Sequence, residues 1–353
     1  MGPEVVTILV GGARWTAFEQ ITVRAAFDEA ARAFTFVAAA ELGSSPTNRI
    51  FAKGTPVQIF ANDDLVLTGY VNRKQPKFDA ESAQITVSGR SASADLVDGS
   101  AEHETGRFKD KTPLEIGQEV SRNYRGTGFV TDQKLDKVEQ YQLTPGETCH
   151  RCVEKMTRQQ GMTITGTADG RAMITKAGAR RHAGALIEGV NILTGESDHN
   201  DSNQHSKYSV RGQRPFGHGV DNLEIEAVAT DKTVKRHRPV VIVQDDDTTK
   251  DHAKKRAKNR RDRAAGNALK ATISVQGWRD DAGKLWNPGW LIWTESPFLD
   301  IAQDMLIESV DLAQNEDGSI AFLSLTDPRS YGGKGGKGNK SGGEWSQDDG
   351  DAE

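Results

Sequence analysis

The stretch VSGRSASADLVDGSA, residues 87–101, decides how the chain is read. Arg90, Asp95 and Asp98 stand among small Ser, Ala and Gly residues. Two carboxylates three residues apart on a helical turn approach the ~5–5.5 Å spacing of a retaining glycosidase pair. Yet Leu96-Val97 between them reads as a core anchor. Ser93 at an N-cap, or Asp95 in a first turn, favours a helix start. The residues therefore read as a strand, Ile85 to Gly89, turning through small side chains into one helical turn, with Arg90 paired locally to an Asp.

Upstream the pattern is β. Val5 to Val10 is a β-branched run closed by Gly11-Gly12, Trp15 to Val23 leads into a second strand, and Phe34-Thr35-Phe36-Val37 is a third. Val57 and Ile59, an Asn62-Asp63-Asp64 turn and Leu65 to Val71 form a hairpin signature. Strands at this spacing predict a closed or nearly closed barrel over 1–105.

Downstream, Thr112-Pro113 opens a short helix, and TPGETCHRCVEKMTRQQG carries a second that stops at Gly161. MTITGTADGRAMIT is a hairpin turning at Asp169-Gly170. Residues 106–185 are thus an α+β insertion. Strands return over 186–330, at Ile187 to Leu193, Tyr208 to Gly212, Val240 to Val243 and four further runs after a basic helix at 248–268. In that helix Ala253, Ala257, Ala264 and Ala268 share one stripe, which lets it lie close to a sheet or another helix. Residues 331–353 are Gly-rich and basic, then acidic, and too polar to fold alone. No repeat of 20–50 residues is visible, although one β segment precedes the insertion and another follows it.

Chemistry is sparse. Cys149 and Cys152 form one C-x-x-C, the spacing of a redox dithiol or half a zinc site, with no second pair to complete it. They read as two small helix residues. His199 and His205 with nearby acids sit in a polar loop, read as a solvated connection and not a metal site. The basic helix carries eight Lys or Arg over residues 250–263 but no aromatics to stack on bases, so nucleic acid is not expected as a partner. GGKGGKGNKSGG lacks the Gly before Lys-Ser that a P-loop needs. There is no G-x-S-x-G elbow. No cofactor and no metal are expected.

The chain has 353 residues, enough for two or three domains, with 36% hydrophobic residues and a formal charge of −5. That charge gives no global attraction to nucleic acid or membrane. No apolar run reaches the ~18 residues of a membrane span. The start lacks a basic region ahead of its apolar stretch, and Val6 stands where a myristoylation motif wants Ser or Thr, so the chain is expected in the cytoplasm when made.

The run G-R-S-…-D-L-V-D-G-S-A resembles the junction after the first barrel in baseplate hub proteins of contractile-tailed phages, the family of the Mu tail protein P and the P2 late-control protein D, related to the T4-type hub. VTILVGGARWTAFEQITVRAAFDEAARAFTF is similar to the family's opening, and LTGYV, residues 67–71, to its strand before the junction. The charged helix, SVQGW, LWNPGWLIWTE, LIESVDL and SIAFLSLTDP follow the family's order. The likeness covers about 1–101 and 248–330. It implies two tube-type barrels joined by the insertion and a homotrimer with pseudo-sixfold symmetry. Its partners would be a central spike, a tail tube protein and baseplate wedge proteins, in a virion tail baseplate assembled in the host cytoplasm. On this reading the chain is no enzyme. Arg90, Asp95, Leu96 and Asp98 serve the junction, and Ala253, Ala257 and Ala264 serve packing. Two alternatives are a tail-associated wall hydrolase or nucleic-acid-handling protein, for which no extra domain of ~100 residues is left over, and a type VI spike component, which would need a long spike domain.

Overall fold

A computed structural model describes residues 4–39, 50–80, 82–212, 225–244, 249–316 and 318–332. The polar tail from residue 333 onward and Asp317 of the Asp317-Gly318 turn lie outside the described residues. The first region holds β1 (Val6–Val10), β2 (Ala13–Trp15), β3 (Gln20–Ala26), β4 (Ala33–Ala39), β5 (Pro56–Ala61), β6 (Asp64–Phe78) and β7 (Ala83–Ser91). Next come α1 (Ala94–Asp98), β8 (Arg107–Lys111), α2 (Pro113–Val120), β9 (Phe129–Thr131), β10 (Val138–Gln142), α3 (Cys149–Gln159), β11 (Thr163–Gly166) and β12 (Ala172–Thr175). The last region holds β13 (Arg181–Ile187), β14 (Ile192–His199), β15 (Lys207–Gly212), β16 (Ile225–Thr230), β17 (Pro239–Gln244), α4 (Lys250–Gly266), β18 (Leu269–Gln276), β19 (Leu291–Ser296), β20 (Ile301–Asn315) and β21 (Gly318–Thr326), then a 3-10 turn at Pro328–Tyr331.

The protein is mainly β with few helices. Its two outer β regions are not separate rings. They share a 13-stranded sheet whose path runs β14-β18-β21-β20-β3-β4-β7-β6-β5-β1-β2, with β19 also paired to β20 and β13 paired to β19. Among the described residues no ring of pairings closes. The reason lies in β20, which is long enough to serve three neighbours. It pairs β21 along one side; on the other it pairs β19 over Ile301 to Leu306 and then β3 over Ser309 to Gln314. The core is continuous as well, with Ile8, Phe36, Ile59 and Val87 in one cluster with Ile273, Trp278, Val310 and Leu323.

A strand plan occurs twice. β5-β6-β7-β4-β3 and β19-β20-β21-β18-β14 are both antiparallel paths. β5, β6 and β7 have 6, 15 and 9 residues, as do β19, β20 and β21. The register slips between Val71 and Arg73 in one copy and between Ile307 and Ser309 in the other. Just before that slip, Gly54 N donates to Val71 O at 2.7 Å, and Gly289 N to Ile307 O at 2.8 Å. Gly54 and Gly289 have φ of +81° and +82°, a conformation that costs glycine no Cβ clash.

The insertion has its own core, in which Leu96, Ile116, Val153, Met156 and Ile174 pack with both cysteines. The α2 start is a capping box, with Glu115 N donating to Thr112 Oγ1 at 3.3 Å and Glu115 Oε2 accepting from Thr112 N at 2.7 Å. α3 begins at Thr148, which accepts from Arg151 N, so Thr144-Pro145-Gly146 is a turn before it. The expected strand Ile187 to Leu193 is instead broken. Gly189 takes φ +74° and Asn191 Oδ1 accepts from Ile187 N at 2.8 Å, which ends β13 and starts β14 after a turn.

Candidate functional site at the strand junction

The junction is built from β7 outward. Ser91 N donates to Arg32 O at 2.8 Å and Ala92 N to Thr68 O at 3.0 Å, so the chain stays stitched to neighbouring strands as it leaves the sheet. Ser93 occupies the N-cap position, but its hydroxyl makes no cap bond and lies 2.8 Å from the Ser91 hydroxyl. Leu96 is wholly buried in the insertion core, whereas Asp95 and Asp98 are exposed. Gly99 must lack a Cβ, which would sit 2.1 Å from the Tyr124 hydroxyl.

Arg90 grips Asp98 with both terminal guanidinium nitrogens, Nη1 at 3.3 Å from Oδ1 and Nη2 on Oδ2. This hydrogen-bonded pairing, with Asp95 adding a weaker attraction, raises the guanidinium above its ordinary pKa against its partial burial. Both side chains are more than a third exposed, so the pair contributes at most about 1 kcal/mol. Asp95 shares a shallow cleft with Arg90, Lys53, Tyr70 and Asn72.

The strongest fastening is a residue that the sequence did not single out. Arg32 donates from Nε to Gly166 O at 3.0 Å, from Nη1 to Val66 O at 2.8 Å and from Nη2 to Asn287 Oδ1 at 3.4 Å. One side chain thereby ties the first β region, the insertion and the second β region. Desolvation lowers its pKa to about 10, opposed by the Asp169 charge. A lone Arg in EAARAF carries no local signal of this role.

A second missed residue is His182. Its ring is wholly buried, with centroids 4.8 Å from Trp286 and 4.6 Å from Trp290. Nδ1 lies 2.9 Å from Asp280 Oδ2, and Asn287 N donates to Nε2 at 3.1 Å. An acceptor Nε2 fixes the neutral tautomer with its proton on Nδ1, facing Asp280. Burial lowers the His182 pKa, and Asp280 only partly opposes it. Burial pushes Asp280 up, but His182 and backbone amides outweigh it and hold Asp280 below its ordinary value. The pair looks like two-thirds of a triad. However, Nε2 is occupied by a backbone amide, so the imidazole cannot activate a nucleophile from this position.

Cys149 and Cys152 are free and fully buried on α3. Burial pushes their thiols up to about 11 and about 12, away from thiolate chemistry. His199 ends β14, so the expected loop begins later, and its Nε2 lies 2.8 Å from Leu299 O. His205 Nδ1 contacts Asn203 O at 3.1 Å, and Asp201 pairs with Arg236. Among the described residues no three His, Cys, Asp or Glu side chains converge as a metal site.

On α4, Ala253 and Ala257 are wholly buried against Val210, Ile225 and Ala227 of the β15-β16-β17 sheet. Ala264 is only half-buried, while Ala265 and Gly266 are buried. The contact line moves because the last turn leaves the sheet for the 3-10 turn; a Cβ on Gly266 would lie 2.2 Å from Ser330 N. The Lys and Arg side chains between the alanines face solvent.

Three family models match successive parts of the chain. They are the N-terminal domain of the Mu phage baseplate assembly protein GpP-like family over residues 5–91, the second domain of baseplate hub protein gp44-like over 93–176, and the fourth domain of Mu phage baseplate assembly protein GpP over 248–333. The chain is 26% identical over 335 residues to baseplate hub protein gp44 of Escherichia phage Mu, covering 91% of this chain and 87% of that protein. A 43 kDa tail protein of prophage MuSo2 from Shewanella oneidensis superposes with a TM-score of 0.81 at 25% identity, over 93% of this chain and 99% of that one. A tail protein from Neisseria meningitidis MC58 shares the fold with a TM-score of 0.76 at 20% identity, over 94% and 99% of the two chains.

Proposed function

We infer the role of this chain from its membership of the baseplate hub proteins of Mu-type phages, in which it is a structural hub component. Its working place is the tail baseplate of a virion, with assembly in the host cytoplasm. The finer role is to adapt a sixfold tail tube to a threefold central spike. The observation that carries this reading is the doubled strand plan, 6, 15 and 9 residues long in each copy. Three chains with two such units each offer six near-equivalent edges to a tube while keeping threefold symmetry for a spike. A heterologous ring of this kind forms only if its rotation closes.

In this division the first unit spans 1–105, the insertion 106–185 and the second unit 186–332, since Tyr331 of the 3-10 turn packs edge-on against Phe27, with the residues beyond as a tail. Arg90, Asp95, Leu96 and Asp98 set the exit from the first unit into the insertion. Ala253, Ala257 and Ala264 let α4 lie flat beside the second. The chain turns over no substrate. Its partners are a second and third copy, the spike, the tube and neighbouring wedge proteins.

Light scattering across a concentration series, with and without the phage's spike protein, tests the reading. About three times the 38.4 kDa chain mass, alone or with the spike, is the expected result. A monomer under both conditions overturns the symmetry-adapting role.

A further inference from the structure

We propose that the acidic stretch EWSQDDGDAE, residues 344–353, docks on the outer, cationic face of α4 in the same chain and shields that face from other polyanions.

The face is built by the helix itself. Residues 250–263 hold eight Lys or Arg against two Asp, in a chain whose formal charge is −5. Ala253 and Ala257 turn one side of α4 into the β15–β16–β17 sheet, which leaves Lys254, Lys255, Arg256, Lys258 and Arg260 exposed. Lys250, Lys254 and Lys258 stand about one turn apart in a row, and Arg256 and Arg260 form a second such pair. Like charges four residues apart oppose a helix. The acids on the helix do not relieve them. Asp251 sits in the first turn, and Asp262 is taken by Arg261, with Nη2 2.7 Å from Oδ1. Among the described residues, none of Lys254, Lys255, Arg256, Lys258, Arg260 and Arg263 is in an ion pair. A run of cations this dense draws a counter-polyanion.

The chain carries one to the spot. α4 spans 17 residues, about 25 Å. Its last turn packs on the 3-10 turn Pro328–Tyr331, so closely that Gly266 has no room for a Cβ beside Ser330. The described chain thus leaves at Gly332 beside the C-terminal end of the helix. Residues 333–343, GKGGKGNKSGG, separate that exit from the acidic stretch. Such a span reaches at most about 38 Å, and Lys254 lies only about 18 Å up the helix from Gly266. Glu344, Asp348, Asp349, Asp351 and Glu353 stand in the stretch with no Lys or Arg among them. A site and a ligand joined by so short a tether meet at an effective concentration on the order of millimolar. A contact too weak to hold separate molecules together is populated at that concentration. The helix has no aromatic side chain on which bases would stack, which favours a carboxylate segment over single-stranded nucleic acid.

The test is a double-mutant cycle on the full chain, read by the salt that elutes it from immobilised heparin. One change is Lys254→Gln, Lys255→Gln and Lys258→Gln together. The other is Glu344→Gln, Asp348→Asn, Asp349→Asn, Asp351→Asn and Glu353→Gln together. Neutralising the acids uncovers the face and raises the eluting salt. The lysine changes then lower it strongly. With the acids intact they lower it by less than about a third as much, because the face is already covered. Equal drops in both backgrounds overturn the docking and leave the face open to an external polyanion such as duplex nucleic acid.

Carbodiimide coupling locates the contact. In low salt it joins the acids to Lys254, Lys255 or Lys258 about tenfold more often than to Lys232 and Lys235, exposed on the β16–β17 connection, and the preference disappears in about 1 M salt, where charges are screened beyond about 3 Å. Coupling without that preference, or mainly to Lys334, Lys337 and Lys340, overturns the docking. When the chain is refolded in a mixture with a nitrogen-15-labelled copy, each coupled peptide carries a single isotope. Mixed-isotope peptides place the stretch on a neighbouring copy and overturn the contact within one chain. The inference stands apart from the hub reading, so a monomer in light scattering leaves it intact.

Discussion

The two β units of this protein share a strand plan but not a method of being held. The first packs Phe34, Phe36 and Phe51 around its strands, with Trp15 edge-on to Phe51 at 5.5 Å, and its buried Glu4 is paired with Arg279 of the second. The second surrounds a His182–Asp280 pair with Trp286 and Trp290 and buries the carboxylate of Asp304 beside Arg181. Apolar packing depends little on pH, while buried pairs titrate. Of these two sites the His182–Asp280 pair is the one acid weakens, because burial lowers the folded pKa of His182, whereas Asp304, whose pKa burial raises, is relieved by acid.

Arg32 bridges the two units, so its loss should erase the comparison altogether. Arg32→Ala strands acceptors in three regions and should cost about 4 kcal/mol, from hydrogen bonds to a charged donor. The urea midpoint reads this, and Arg32→Lys, lacking the fork, should recover less than half. An Arg32→Lys protein as stable as the parent would break the argument that one planar group spans three regions.

His182→Ala should cost about 3 kcal/mol by taking the imidazole donor from Asp280, which keeps its backbone amides, and by leaving a cavity beside Trp286 and Trp290. The pH dependence is the sharper readout. The folded pKa of His182 lies below the ordinary value of 6.5. Stability from keeping it neutral is therefore complete above about 6.5 and is lost as pH falls below that, when the unfolded chain takes up the proton. Melting temperatures from pH 8 to pH 5 should fall in the parent and flatten in His182→Ala. Equal slopes would assign the acid sensitivity elsewhere.

Ala257→Trp forces a large ring between α4 and its sheet, and overpacking there should cost about 2 kcal/mol. The loss should be confined to β15–β17, so hydrogen exchange should speed up there and not in β3–β7. Asp98→Ala is the mildest change, worth less than about 1 kcal/mol because the Arg90 pair is exposed. A melting-temperature drop larger than that of Ala257→Trp would mean the junction holds more than local order.

Periodic features were legible in the sequence. The Asn62-Asp63-Asp64 turn, the Asp169-Gly170 hairpin and the helix after Thr112 announce themselves through local backbone chemistry, as does the second helix, although its start lies at Thr148 and not at Thr144-Pro145-Gly146. So did Leu96, buried between two exposed carboxylates, and a local Arg90–Asp pair, which the structure resolves to Asp98. What stayed hidden depends on residues far apart in the chain. Arg32 and Asn287 are 255 positions apart, and His182 and Asp280 are 98 apart. Strand β16 was also missed, and Ile187 to Leu193 looked continuous because its apolar residues outweigh the turn that Gly189 and Asn191 impose. The joining of both units into one sheet follows from the length of β20. Length alone does not reveal which neighbours a strand will take.

The internal β3–β20 seam has a consequence for timing. Its two edges are carried on one chain, so they meet at an effective concentration that dilution cannot lower, one reduced by the long folded stretch between β3 and β20. Any contact between separate copies has no such tether and responds to how much protein is present. A chain built this way gathers both β units into one sheet by folding alone, so that step is set by the chain itself and not by its abundance.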